Sequence, residues 1–361
     1  MGRIINVPRL NARLRHPCGG RKSVVDWLTS NRAIVASKQK FLKLMAPWLI
    51  RTVVYLSTGL GIAIGCLAVR FLPRAWLFRF SDFLASVGFC CFKGFRSRSI
   101  GNIAAALGEQ LNGVQVEDIA RRSLRNFFRD CIEMAVALEV SDDELRNLIP
   151  LVGSEHLDAA LAKRSGVLVL SAHLGNFFLI GSRLAIEGYA ISVLVNQPSD
   201  SHLAKLMDKY RRQVRQKTIH ARPRREALKK LNEALRRNEI AVIISDEYRR
   251  GKGIEAPLFG RMVIARRGPA TIALRTGAAI VPACMIRQPD GTLKLVIERE
   301  LELDRSGKGA GQIKENTIRL TQWLERTVRE YPDQWNWMNI RWWTTREQSE
   351  PGAHAPVRQA S

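Results

Sequence analysis

Apolar residues are distributed in two different ways along this chain. Near the amino terminus they form long runs, whereas after residue 153 they form short runs separated by amphipathic segments. The longest run, residues 52–69, has no charge and is bounded by Arg51 and Arg70. A helix that crosses a membrane needs about 17–25 apolar residues. We therefore expect one membrane-spanning helix near the amino terminus.

A second apolar run, residues 76–92, is interrupted by Arg79 and Asp82. Charges inside an apolar helix are typical of a helix that lies along a membrane surface rather than across it. The run therefore predicts an interfacial helix, with a buried helical hairpin of the core as the alternative.

In the second half of the chain, short apolar runs typical of strands alternate with amphipathic segments typical of helices. Strands are predicted at residues 166–172, 190–195, 240–245, 279–286 and 293–300, and helices at 174–187, 203–216, 224–237, 269–275 and 312–330. Two further helices are predicted within residues 116–149, and Pro-Asp-Gly at 289–291 predicts a hairpin turn. Strands that alternate with helices favour an α/β fold with a mostly parallel central sheet flanked by helices.

These changes of pattern divide the chain into four parts. A basic arm (1–45) precedes the membrane and interfacial helices (46–95), which are followed by the α/β domain (96–346) and a disordered tail (347–361). Six cysteines occur without a CxxC motif or a Cys/His pair at metal-ligand spacing. Neither a zinc site nor a disulfide framework is expected from that spacing.

Positive charge is concentrated in two stretches. The net charge of the 361 residues is +24. Residues 1–51 contain 11 Lys and Arg against one acid, and residues 205–237 contain 13 against three. This balance indicates a polyanionic partner, which is nucleic acid, anionic lipid or a phosphorylated substrate. The membrane-length run and the lack of a known nucleic-acid module argue against nucleic acid.

Three short segments at strand or helix ends carry candidate chemistry. His173 follows a buried strand, where ligands of open α/β sheets bind, and can act as a general base. Asp246 and Glu247 follow another apolar strand and can orient such a base. Arg267 and Gly268 precede a helix-opening proline, so this helix start can face an anion.

Taken together, these segments are similar to one family. GVLVLSAHLGNF at 166–177, SDE at 245–247, LFG at 258–260, RGPATIALRTGAAIVP at 267–282 and YPDQWNW at 331–337 occur in order. The chain resembles the bacterial lipid A lauroyl/myristoyl acyltransferase family, part of the lysophospholipid acyltransferase superfamily, from about residue 46 to residue 346.

The resemblance implies a glycerolipid-acyltransferase-like fold and an enzyme of the bacterial inner membrane whose catalytic domain faces the cytoplasm. Such an enzyme moves a fatty acyl chain from acyl carrier protein to a hydroxyl of a lipid A-type glycolipid. The implied partners are acyl carrier protein, an anionic glycolipid or phospholipid acceptor and the membrane. No metal or organic cofactor is implied.

The resemblance also suggests roles for individual residues. His173 would be the base, and Asn176, Arg267 and Gly268 would bind substrate. The oxyanion-stabilising arginine of the family would fall at Arg211 or Arg212, since the register of that helix relative to the family pattern leaves both positions open.

One position departs from the family motif, in which four residues separate a histidine from an Asp or Glu. The corresponding position here is Phe178, which cannot hold the imidazole tautomer as a carboxylate does. The sequence leaves three explanations open for the missing acid. Glu247 or Asp246 reaches His173 through space, His173 works slowly without a carboxylate, or the chain has lost catalysis and binds lipid or a partner.

Overall fold

A computed structural model describes residues 60, 64–197, 201–246, 248, 253–307, 309–340 and 342. Several predictions fall outside these residues. They concern the basic arm (1–45), most of the first apolar run (52–59 and 61–63), Glu247 and the tail (347–361). The spanning helix therefore stays a prediction, although residues 64–71 are helical.

The residues described after position 73 form ten α-helices. They are α1 (Arg74–Cys91), α2 (Lys93–Leu107), α3 (Gly113–Glu139), α4 (Asp142–Leu148), α5 (Ser154–Ala162), α6 (Ile180–Ile186), α7 (Ser201–Gln213), α8 (Arg224–Arg236), α9 (Gly268–Thr276) and α10 (Gly309–Glu330). Short 3₁₀ turns occur at Phe177–Leu179, Pro332–Gln334 and Trp337–Asn339. The two helices predicted within residues 116–149 are α3 and α4, and Ser141 caps α4 by accepting a hydrogen bond from the Glu144 N–H.

Nine strands form two sheets within the described part of the chain. They are β1 (Leu151–Val152), β2 (Val167–Ser171), β3 (Ile191–Val195), β4 (Lys217–His220), β5 (Ile240–Ile244), β6 (Ile254–Leu258), β7 (Arg261–Ala265), β8 (Ala279–Arg287) and β9 (Leu293–Ile297). The main sheet has the order β1-β9-β8-β2-β5-β3-β4, and β6 pairs with β7. Only β8 and β9 run antiparallel in the main sheet, so its mostly parallel character is confirmed.

Helices cover both faces of this sheet. Alternate residues of its central strands therefore point into two different hydrophobic cores, one on each face. Leu168 and Leu170 of β2 face a core shared with α1, α2, α3, α8, α9 and α10. Val167 and Val169 face the other core, shared with α4, α5 and α6. Both sides of β2 are therefore buried, which explains its continuous apolar sequence.

Helix α1 buries one side and exposes apolar residues on the other. Leu77, Ala85 and Phe89 are buried. Trp76, Phe80, Phe83 and Val87 recur at helical spacing and are exposed, with Trp76 63% accessible. Among the described residues, no single helix is long and apolar enough to cross a membrane. Helices α1 and α2 meet that requirement only as a pair, which is bent by 88°.

The carboxyl-terminal segment packs across the loop that follows β2. The Gly175 N–H donates to the Gln334 carbonyl (2.9 Å), and the Asn336 N–H donates to the His173 carbonyl (3.0 Å). Gly175 has φ +55°, and a Cβ at this position would overlap the Met285 carbonyl oxygen of β8. Only glycine therefore fits where the loop crosses the end of the sheet.

Replacing this glycine tests how tightly the loop is held. Gly175→Ala should lower the free energy of unfolding by more than the roughly 1–2 kcal/mol of a left-handed alanine, because the backbone must also move. Gly188→Ala is the matched control, since Gly188 has φ +91° and a Cβ there would meet no atom within 4 Å. Denaturant unfolding of both variants measures the difference, and equal losses would contradict the close approach to Met285.

Candidate active site

Strand register brings His173 and Asp246 together. Strands β2 and β5 are parallel neighbours, and Ser171 pairs with Ile244. His173 and Asp246 each follow two residues later, at the carboxyl edge of the sheet. Two side chains 73 positions apart in the sequence therefore meet because their strands end level with each other.

Asp246 accepts three hydrogen bonds. Its Oδ1 lies 2.7 Å from His173 Nδ1, while its Oδ2 accepts from the His173 backbone N–H (2.8 Å) and from Trp335 Nε1 (2.7 Å). The Asp246 side chain is 3% exposed, whereas that of His173 is 19% exposed. With Asp246 on Nδ1, the neutral imidazole carries its lone pair on Nε2, the nitrogen that a general base uses.

The surroundings of Asp246 keep it ionised. Burial by itself raises the pKa of this carboxyl group, but the charge of His173 and the hydrogen bonds from His173 and Trp335 outweigh burial and lower the pKa below its ordinary value. An ionised carboxylate fixes the imidazole tautomer and stabilises the imidazolium that forms when the base takes up a proton.

A cavity of about 720 Å³ opens beside this pair. His173 lines it together with a set of mainly apolar side chains from α2, α3, the loop after β2 and the ends of β3 and β5. Among these are Phe95, Leu124, Phe127, Phe128, Met134, Phe177, Phe178, Val193 and Leu194. Pockets of this size and polarity bind the apolar part of a small molecule or lipid.

Phe178 belongs to the wall of this cavity. Its ring lies 4.1 Å from that of Phe177, measured between centroids, and Phe177 in turn meets His173 edge to face at 4.7 Å. The position that holds an acid in the family motif therefore contributes apolar surface here. Of the three explanations for the missing acid, the geometry agrees with a carboxylate that reaches His173 through space, and among the described residues Asp246 is in that position.

The structure distinguishes between the two candidate arginines. Arg211 lines the cavity that contains His173, and its Nη1 donates to Asp208 Oδ1 (2.9 Å). Arg212 lines a different surface depression, near Lys217 and His220. Only Arg211 shares the cavity of His173, although its predicted oxyanion role stays a prediction.

The other predicted substrate-binding residues lie elsewhere. Asn176 is fully buried (0% exposed), and its Nδ2 donates to Glu133 Oε2 (2.9 Å) and to the Asp130 carbonyl (3.2 Å). Arg267 and Gly268 line a separate groove beside α8 and α9. Asn176 therefore anchors the loop after β2 to α3, and none of the three residues shares the cavity of His173.

Sequence reasoning missed a buried ionic cluster under this loop. Arg287, at the end of β8, donates to Asp130 Oδ1 (2.6 Å) and to Glu133 Oε2 (3.0 Å) of α3. The partners are more than 150 positions apart, so no local pattern could have paired them. The only sequence signal is that Asp130 and Glu133 fall on one side of a helix. No group of three potential metal-ligating side chains occurs in the described part of the chain.

This cluster places two carboxylates against one guanidinium. Burial raises the pKa of Asp130 to about 7, and the negative charge of Glu133 also acts to raise it, while Arg287 lowers it. Asp130 therefore keeps its proton at pH values below about 7, well above the range in which an exposed carboxyl group releases it.

Comparison with known proteins identifies the family of this α/β chain. The family model for bacterial lipid A biosynthesis acyltransferases matches residues 46–344, and the chain belongs to that family. It is similar to a phosphatidylinositol mannoside acyltransferase of Mycolicibacterium smegmatis, with 25% identity over 289 residues that cover 79% of this chain and 91% of that protein.

A second relative, a phosphatidylinositol mannoside acyltransferase of Mycobacterium tuberculosis, is 28% identical over 131 residues. That region covers 36% of this chain and 42% of the relative. The family and the names of these relatives make this protein an acyltransferase, which confirms the prediction from the sequence motifs.

The ionic cluster makes stability depend on pH. Because the pKa of Asp130 is raised on folding, the folded protein retains a proton that the unfolded chain releases above pH ~4. This group therefore lowers stability as pH rises from ~4 to about 7. Asp130→Asn should remove that part of the slope, which unfolding experiments across this range measure. Asp118→Asn, at an exposed position of the same helix, is the control. An unchanged slope in Asp130→Asn would contradict the assignment.

Proposed function

We propose that this acyltransferase moves a fatty acyl chain from a thioester of acyl carrier protein to a hydroxyl group of an anionic glycolipid. It would do so at the cytoplasmic surface of the bacterial inner membrane. The observation that carries the proposal is the His173–Asp246 pair, with Nδ1 and Oδ1 2.7 Å apart, in the wall of a largely apolar cavity.

The pair supports direct transfer with His173 as general base. Nε2 of His173 removes the proton of the acceptor hydroxyl as its oxygen attacks the thioester carbonyl carbon. The tetrahedral oxyanion then collapses, the carbon–sulfur bond breaks, and the departing thiolate takes the proton from the imidazolium. Asp246 keeps the imidazole oriented and stabilises its cation in both steps.

The cavity supports an acyl chain as the transferred group. Its phenylalanine, leucine and methionine side chains can bury methylene groups, each of which contributes about 0.8 kcal/mol when removed from water. Arg211 lines the same cavity, so it is our candidate for stabilising the oxyanion. Such a donor typically contributes about 2.7–4 kcal/mol to the transition state.

The proposed acceptor is based on a feature common to the family description and to the names of the two relatives. The family description names lipid A biosynthesis, and the two relatives are named for phosphatidylinositol mannoside. Both are sugar-containing lipids. We therefore propose a glycolipid hydroxyl as acceptor, with lipid A-type and mannosylated phosphatidylinositol-type lipids as the two classes to be compared.

Two features support action at a membrane surface. The exposed apolar side of α1 presents Trp76, Phe80 and Phe83, as expected for a helix that rests in the lipid interface. Basic residues near anionic lipid contribute about 1 kcal/mol each, and α8 carries exposed basic residues, among them Arg225, Lys229 and Lys230.

An acyl-transfer assay tests the proposed function. Labelled acyl-acyl carrier protein and, separately, the corresponding coenzyme A thioester are offered with membranes that contain each acceptor class. The wild-type protein should acylate one class. His173→Ala should reduce the rate by about 10²–10⁴-fold, the usual contribution of a general base.

Each other outcome of this assay has a defined meaning. Equal rates for the wild type and His173→Ala would exclude His173 as the base. Transfer from the coenzyme A thioester alone would exclude acyl carrier protein as the donor. No transfer by a folded, membrane-bound wild-type protein would favour the alternative that Phe178 suggests, a family member that binds lipid without acylating it.

The carboxylate partner of His173 is tested by three substitutions. Asp246→Asn should lower kcat by at least about 10²-fold, because an amide at this position favours the wrong imidazole tautomer. Glu247→Gln tests the adjacent acid, which lies outside the described residues, and it should retain activity if Asp246 alone holds His173. Phe178→Glu should not raise the rate, since Asp246 already occupies Nδ1. A rate gain in Phe178→Glu, or a normal rate in Asp246→Asn, would refute Asp246 as the positioning group.

A further inference from the structure

Helices α8 and α9 border a groove of about 570 Å³ with five arginines around it. They are Arg164, Arg224, Arg236, Arg267 and Arg275. Within the described part of the chain, this groove shares no lining residue with the cavity of His173. Arg164 comes before β2 and His173 after it, and the five residues of β2 span roughly 16 Å. A ligand at the Arg164 end would therefore lie away from the reacting hydroxyl.

The described neighbours of these arginines do not neutralise their charge. None of the five has a carboxylate within ion-pair distance among the described residues, and no carboxylate lines the groove. Some arginines elsewhere on the surface are paired, such as Arg121 with Glu117 and Arg329 with Glu325.

Even the acids of α8 are engaged by other residues. Glu226 pairs with Lys230 and Glu233 with Lys229, and none of these four side chains lines the groove. The groove therefore concentrates positive charge in a concave site.

The lining of the groove also contains uncharged residues. Leu228, Leu235, Ile272 and Ile313 contribute apolar surface, and Asn232 and Thr271 contribute polar groups. A volume of this size fits a small molecule. Guanidinium groups recognise phosphate through paired, charge-assisted hydrogen bonds. The arrangement therefore suits a ligand that combines phosphate groups with a less polar part.

We propose that this groove binds a phosphorylated small molecule. The chemistry is common to the phosphates of a nucleotide and to those of a lipid headgroup, and both sources can be tested. The proposal goes beyond acyl transfer and does not rest on it, because binding is measured without turnover.

Calorimetry on the full-length protein in detergent tests the proposal. The probes are adenosine 3′,5′-bisphosphate for the nucleotide source and inositol 1-phosphate for the headgroup source. At least one probe should bind saturably and raise the melting temperature, as a ligand of the folded state does. The double variant Arg236→Gln/Arg275→Gln should weaken binding by at least tenfold and abolish the thermal shift.

The control is Arg225→Gln, because Arg225 is next to Arg224 on α8 but does not line the groove. It should change the affinity by less than twofold. Both replaced arginines of the double variant are exposed, and its melting temperature without ligand reports whether it is folded.

Three results would overturn the proposal. They are the absence of saturable binding by either probe, unchanged affinity in the folded double variant, and an equal loss in Arg225→Gln. If neither probe binds but the double variant loses binding to phosphatidylglycerol vesicles, the groove is a membrane-contact surface instead.

Discussion

The site depends on one buried carboxylate, that of Asp246, whose oxygens must all accept hydrogen bonds. Asp246 is almost inaccessible to water, and an ionised group in such a place is costly unless hydrogen bonds surround it. Its bonds come from the side chain and backbone of His173 and from the indole of Trp335. A single charge thus joins the ends of two neighbouring strands to the carboxyl-terminal segment, and the base is oriented only when all three are in place.

Because Asp246 supplies the carboxylate, the position that holds an acid in the family motif can carry an apolar side chain here. In the family motif the carboxylate comes five positions after the histidine in the sequence. Here the carboxylate comes from the next strand, so Phe178 is free to extend the apolar wall with Phe177. Asp246 holds His173 through Nδ1, while the same histidine borders the space for an apolar chain. The same histidine can therefore be held by a carboxylate on one side and border a hydrocarbon chain on the other.

Local sequence was sufficient for most of the fold. Strands such as β2 and β5 are buried on both faces, so they are continuous apolar runs that can be recognised without tertiary information. Strand β4 was missed because its sequence, Lys-Thr-Ile-His, pairs on one side only and is not apolar throughout. The hairpin of β6 and β7 was missed because its two-residue turn combines one turn signal, Gly260 (φ +70°), with Phe259 (φ +52°) at the position where Asn or Asp is usual. A phenylalanine is not a turn signal, and its ring packs near Trp335 and Trp337.

The sequence by itself determined the α/β alternation and the position of His173 at a strand end, because each depends on residues close together in the chain. It indicated the class of enzyme through the resemblance of several motifs to one family. It could not decide between Asp246 and Glu247, or between Arg211 and Arg212, since two adjacent residues of the same charge offer no local signal that separates them. Only the tertiary structure brought Asp246 to His173, directed Arg211 into the cavity and paired Arg287 with Asp130. The physical reason is that these contacts depend on strand register and helix packing between segments far apart in sequence, which no local pattern of residues specifies.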